Sequence, residues 1–270
     1  MKLDINQLAA QQLRDRDAGT PGTIFAEPIS LTSEQAYAVA SEVSRLRAAR
    51  GERIVGYKVG CTSSGIQQQL GINDPVFGYL FESESWPSGT SLSPKQFSEL
   101  AIEGELAVRL ATDLPAAKIS LAELTAAVAA VFPVIELHNF VFRGSQPSAP
   151  ELIANNAIHA GYLYPASPHP QQTLEFDPGT LQIDVDNQEL ATVAGGDLTA
   201  TVIASLRWLS QELERTGSGL KAGQTVLCGS VADLLPVTGN CQVTVTSEHL
   251  GSVECTIDDN APLQMERTST

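Results

Sequence analysis

Two hydrophobic periods alternate along this chain, and the changes between them mark out its elements. Over residues 4–17, Ile5, Leu8, Ala9 and Leu13 recur at helical spacing, and the run breaks at Gly19-Thr20-Pro21-Gly22. Thr32 with Gln35 reads as a capping box, which predicts a second helix with Val39, Val43 and Leu46 as its buried stripe and Gly51 as its stop. Residues 53–60 read as a strand, Ser64–Leu70 as a short helix, and residues 71–78 as an irregular loop rich in Gly, Asn, Asp and Pro. Period-two alternation returns over 101–110, and 131–137 is a second apolar strand. Between them Ser120 and Glu123 predict a capped, Ala-rich helix carrying Leu121, Leu124 and Val128. Residues 140–164 follow neither period and read as an irregular, candidate active-site segment containing Arg143, Asn155, Asn156 and His159. In the last third, Leu181, Ile183 and Val185 alternate, Asp186-Asn187 supplies a turn, and the chain returns through 190–193 as a hairpin. A helix capped by Asp197 or Thr199 then buries Val202, Leu206, Leu209 and Leu213 and ends at Gly217. Strands are expected at 225–229, at 242–246 and through Val253, Cys255 and Ile257.

The polar residues inside these apolar strands carry the candidate chemistry. In a strand, Glu103 and Glu105 project side by side from one face, and adjacent buried carboxylates repel. A shared proton, a Lys or Arg, or a divalent cation has to neutralise them. Glu136, in the second apolar strand, adds a third carboxylate. Three carboxylates without an imidazole pattern favour a hard ion, Mg2+ or Mn2+, over zinc. Lys58 lies in the 53–60 strand between Tyr57 and Val59 and, taken alone, reads as an outward-facing strand lysine. His138 and His159, each a lone histidine, read as surface or core-edge residues.

Composition narrows the partners. A net charge of -15 with a pI near 4.6 argues against nucleic acid or an anionic membrane surface, and an acidic substrate would need a local cation. Residues 1–16 lack the continuous apolar core of a signal peptide or membrane span. The four cysteines, Cys61, Cys228, Cys241 and Cys255, show no paired spacing and read as reduced core thiols, so a cytoplasmic location is expected. Neither an internal repeat nor a clear interdomain linker is visible. The expected organisation is a helical lobe over residues 1–52 and a catalytic region over 53–270, forming one continuous unit.

Six blocks in order, GYKVGCTS (56–63), QQLGINDPVFGYLF (68–81), IEGELAV (102–108), PVIEL (133–137), NNAIHAGY (155–162) and LKAGQTVLCGS (220–230), resemble the 2-keto-4-pentenoate hydratase and 4-oxalocrotonate decarboxylase branch of the fumarylacetoacetate hydrolase family. The resemblance covers nearly the whole chain. It implies an α+β fold, with a mixed β-roll core and a helical N-terminal lobe. It also implies one Mg2+ or Mn2+ held by Glu103, Glu105 and Glu136, with Lys58 against a small anionic 2-keto acid substrate. The activity it implies is that of a lyase of the hydratase type. Alternatives are a 4-oxalocrotonate-type decarboxylase or acylpyruvate hydrolase, and a metal-binding, non-catalytic partner subunit. A homo-oligomer, and association with a homologous hydratase or decarboxylase, are further implications. The chain departs from the family pattern at three places. The acidic residue of the P-D-F-G turn is Val76. The run E-I-V-D-S-R-I reads Glu136-Leu137-His138-Asn139-Phe140-Val141-Phe142, and D-N-A-S-S reads Asn155-Asn156-Ala157-Ile158-His159. Asn139 keeps a hydrogen bond but is no base, which leaves Asp74 and His159 as candidate replacements for the missing catalytic acid.

Overall fold

Capping chemistry starts the first two helices where the sequence predicts. The Asp4 side chain accepts from the Asn6 and Gln7 amides at the head of α1 (Ile5–Asp17), and Thr32 and Gln35 close a reciprocal box at the head of α2 (Ser33–Ala49). The structure, a computed structural model, describes residues 3–26, 29–114, 119–142, 147–167, 174, 177–230 and 232–263, so Arg143 lies outside the described residues. The chain continues through β1 (Ile54–Gly60), α3 (Ser64–Leu70), β2 (Val76–Phe81), β3 (Ser85–Pro87), β4 (Thr90–Leu92) and β5 (Leu100–Leu110). Then come α4 (Leu121–Ala127), β6 (Val128–Asn139), α5 (Ala149–Ala154), β7 (His159–Tyr164), β8 (Thr180–Val185) and β9 (Gln188–Ala194). Last are α6 (Gly195–Arg215), β10 (Thr225–Leu227), β11 (Leu235–Pro236), β12 (Cys241–Ser247) and β13 (Gly251–Ile257). Among the described residues no helix is long and apolar enough to cross a membrane.

Two mixed sheets form the core. The larger runs β2-β1-β10-β5-β6-β7-β3, with β11 added to β5, and the smaller runs β4-β13-β12-β8-β9. On β5, Ile102, Leu106 and Val108 join the main core. Gly104 lies on that same side, where an added Cβ would come within 2.8 Å of the Ile183 side chain of the smaller sheet. The glycine between the two glutamates is therefore the point of close approach between the sheets. Glu103, Glu105 and Ala107 take the opposite side. That side is the inside of the curl. Lys58 on β1 and Glu136 on β6 have β10 and β5 between them, a span of about 14 Å in a flat sheet, yet their charged ends are 3.2 Å apart. Leu80, Ala107, Phe132, Val134, Tyr162 and Leu227 plug one end of this interior, and the charged residues occupy the other.

Several local expectations are corrected. Val76 to Gly78 are strand, not loop, because β2 pairs antiparallel with β1 from its first residue. Val128 ends α4 and opens β6 rather than completing the helix. The segment 140–164 is not irregular throughout, since it contains α5 and β7, and His159 heads β7 as a buried residue rather than at the surface. Helix α6 begins at Gly195, which puts Asp197 and Thr199 inside it. Lys58 is 3% exposed, so the outward-facing reading does not hold. The two N-terminal helices share an apolar cluster with Leu152, Ile153, Ala157 and Val76, which carries packing across the boundary at residue 52.

Candidate metal centre and cavity

Strand parity explains why six polar residues meet. Glu103 and Glu105 are two apart on β5, Glu136 and His138 are two apart on β6, and Glu103 stands directly opposite Glu136. Lys58 reaches in from β1 and His159 from the head of β7. Glu136 is fully buried, with Oε1 at 3.2 Å from Lys58 Nζ and 2.7 Å from His159 Nδ1. His138 Nε2 is 3.0 Å from Glu103 Oε2 and 3.7 Å from Glu136 Oε2. The Gly229 amide donates to Glu105 Oε2 at 3.0 Å. Lys58 Nζ donates to the Ala157 carbonyl at 3.5 Å.

The turn holding that carbonyl is itself unusual. Asn156, Ala157 and Ile158 all have positive φ, between 50° and 57°, a region that costs energy for side-chain-bearing residues. Asn156 anchors the turn to β2, accepting from the Tyr79 amide at 2.7 Å and donating to the Tyr79 carbonyl at 2.9 Å.

Burial and mutual charge set the protonation states. Burial disfavours the Lys58 ammonium, but Glu136, Glu103 and Glu105 outweigh it and hold its pKa above the ordinary lysine value. Burial raises the Glu105 carboxyl, and Glu136 and Glu103 add to the rise. Glu136 goes the other way: burial is overcome by Lys58, His138 and His159, and it stays ionised. Burial lowers the His159 pKa despite the Glu136 contact.

A cavity of about 380 Å³ opens onto this cluster. Lys58, Glu103 and His138 line its polar wall, and Val76, Phe140, Phe142, Leu152 and Ile158 line an apolar one. Asp74 lies on an exposed turn and is not part of the lining. Asn139 Oδ1 accepts from the Ser98 amide and faces a second cavity of about 270 Å³, as does His159. Asp233, exposed at the rim of the first cavity, is a carboxylate that nothing in its local sequence pattern marks. His138, expected at the surface or core edge, is 1% exposed inside the cluster. Here a signal existed: it is two residues beyond Glu136, the same spacing that pairs Glu103 with Glu105.

The donor set fits a divalent cation. Glu103, Glu136 and His138 each offer one ligand atom, all within 4.8 Å of one another. Glu105 Oε1 and Glu136 Oε2 are buried without a hydrogen-bond partner, and acceptor-only atoms left in that state are what a cation satisfies.

Comparison with known proteins agrees along the full chain, although no family model matches it. The 2-keto-4-pentenoate hydratase of Burkholderia vietnamiensis is 28% identical over 261 residues, covering 95% of this chain and 99% of the relative. A protein of the same name from Paraburkholderia phymatum is 30% identical over 224 residues, 83% of this chain and 86% of the relative. Among solved structures, the 4-oxalocrotonate decarboxylase of Pseudomonas putida complexed with magnesium and adipate superposes with a TM-score of 0.87 at 23% identity, covering 95% of this chain and 99% of that one.

Proposed function

We propose a reaction for this chain from one premise: it belongs to the 2-keto-4-pentenoate hydratase and 4-oxalocrotonate decarboxylase branch of the fumarylacetoacetate hydrolase family. The reading is a divalent-metal-dependent lyase that acts on a short unsaturated 2-keto acid, with Mg2+ or Mn2+ held by Glu103, Glu105 and Glu136. The observation that carries it is the buried carboxylate cluster beside Lys58 at the floor of a half-apolar cavity. A bound divalent ion would polarise the 2-oxo group and lower the cost of an enolate. Lys58, kept as an ammonium by the carboxylates around it, offsets the substrate's charge and is positioned to deliver a proton. The wall of Val76, Phe140 and Phe142 suits the hydrocarbon end of the substrate and sheds water from it.

Val76 favours a second reading within the same chemistry. Water addition needs a group to activate water and one to protonate the far carbon, and Val76 does neither. Decarboxylation of a vinylogous 2-keto acid uses the same enolate without that group. Parallel assays with 2-hydroxypenta-2,4-dienoate, 4-oxalocrotonate and an acylpyruvate, with and without Mg2+ or Mn2+, separate these readings when run beside NMR detection of deuterium uptake at C3. The expected result is metal-dependent exchange at C3 with slow hydration. Hydration at about 10 per second or faster would overturn the weight given to Val76. Loss of every activity with metal bound would instead identify a non-catalytic partner subunit.

A further inference from the structure

We infer that His138 is a nitrogen ligand of the metal centre, which makes the site a mixed carboxylate–imidazole one that selects Mn2+ or another first-row transition ion over Mg2+. The inference rests on the metal-dependent reading above and concerns which ion that centre takes. Three observations carry it. His138 is only 1% exposed and aims Nε2 at two carboxylates, 3.0 Å from Glu103 and 3.7 Å from Glu136. Of the acidic and imidazole groups at the centre, Glu103 and His138 line the substrate cavity, whereas Glu105 and Glu136 sit behind them. Glu105 has one oxygen committed to the Gly229 amide, while Glu103, Glu136 and His138 keep one donor atom each within a single ion's reach.

The alternative is that His138 serves only as a partner for Glu103. A histidine that only hydrogen-bonds Glu103 would leave a bound ion without coordinated nitrogen, which the experiment below reads directly. The chemistry of the donor decides the ion. Mg2+ is bound by oxygen and keeps its waters, whereas an imidazole nitrogen favours first-row transition ions, with affinity rising from Mn2+ through Fe2+, Co2+ and Ni2+ to Cu2+.

The test uses Mn2+ as the probe on the full chain. Loss of the free-ion EPR signal gives the affinity, and electron spin-echo envelope modulation of the bound ion reads directly coordinated nitrogen. The expected result is a nitrogen modulation that changes when histidine is labelled with heavy nitrogen and disappears in His138→Ala and His138→Asn. In these variants the Mn2+-to-Mg2+ affinity ratio is expected to fall by about tenfold or more. Bound Mn2+ with no nitrogen modulation would overturn the inference and leave the metal-dependent reading standing. A modulation that survives both substitutions would assign the nitrogen to another histidine and overturn it equally. If no Mn2+ binds at all, both readings fall together. Should either variant not fold, the modulation of the unaltered protein still decides whether nitrogen is bound.

Discussion

Lys58 shows how far a single buried charge depends on its neighbours. Burial works against its ammonium, and the carboxylates of Glu136, Glu103 and Glu105 outweigh that and keep the charge in place. Lys58→Met keeps the side chain's length and removes its proton and charge. If Lys58 donates a proton in turnover, kcat should fall by at least about tenfold at saturating Mn2+. Mn2+ affinity, measured separately, should fall far less, because the lysine is not a ligand. Unchanged kinetics would reduce Lys58 to a structural counter-ion for Glu136. The sequence made Glu103, Glu105 and Glu136 legible, since period two puts them on one face once the strands are recognised. It left Lys58 ambiguous, because which face of β1 is enclosed depends on the curl of a sheet whose strands are far apart in the chain. His138 is legible by the same parity, two residues beyond Glu136, although a lone histidine reads as a surface or core-edge residue.

At the scale of elements, local chemistry was read most faithfully. The capping boxes at Thr32 and Ser120 and the turn at Asp186-Asn187, both at positive φ, stand where the residues predict them. Short strands such as β3, β4 and β11 were not legible, because two or three residues carry no period and are strands only by virtue of partners elsewhere. The 156–158 turn shows the same limit. Nothing in Asn156-Ala157-Ile158 announces three left-handed residues in succession, and the conformation persists because Asn156 is bonded twice to Tyr79. Asn156→Ala removes both bonds and puts alanine at a φ that asparagine tolerates better. The expected loss is about 2–3 kcal/mol, a fall in Tm of roughly 5 °C or more by calorimetry. With the Ala157 carbonyl released from Lys58, substrate KM should rise as well. A variant with the parent's Tm and KM would show that the turn does not depend on this anchor.

Across the whole molecule, the N-terminal lobe is tied to the sheets by charge as well as by apolar packing. Arg47, only 2% exposed, pairs with Glu52 and Glu84 and lies over the Phe81 ring at 3.4 Å. Arg16 joins it at Glu84, and Arg50 bridges Asp17 to Glu52. Removing one member of such a network leaves a buried guanidinium short of acceptors, although the intact network adds little net stabilisation over an apolar replacement. Glu52 gives the arrangement a pH signature. Burial pushes its carboxyl up, but the Arg47 guanidinium hydrogen-bonded to it, helped by Arg50 and Arg16, pulls harder and brings the pKa down to about 2. A carboxylate depressed on folding contributes stability that is fully present above its unfolded pKa and is lost as pH falls through its folded one. The window here is therefore from about pH 4.3, the ordinary glutamate value, down to about 2. Glu52→Gln should lower stability at pH 7 by on the order of 1 kcal/mol, since the cost of burying both partners offsets part of their attraction. The gap between parent and variant should narrow below pH 4 and close near pH 2, traced as Tm against pH for both proteins. A gap that stays constant down to pH 2 would assign the loss to packing rather than to charge, and the lobe would then be held by its apolar contacts with Leu152, Ile153 and Val76.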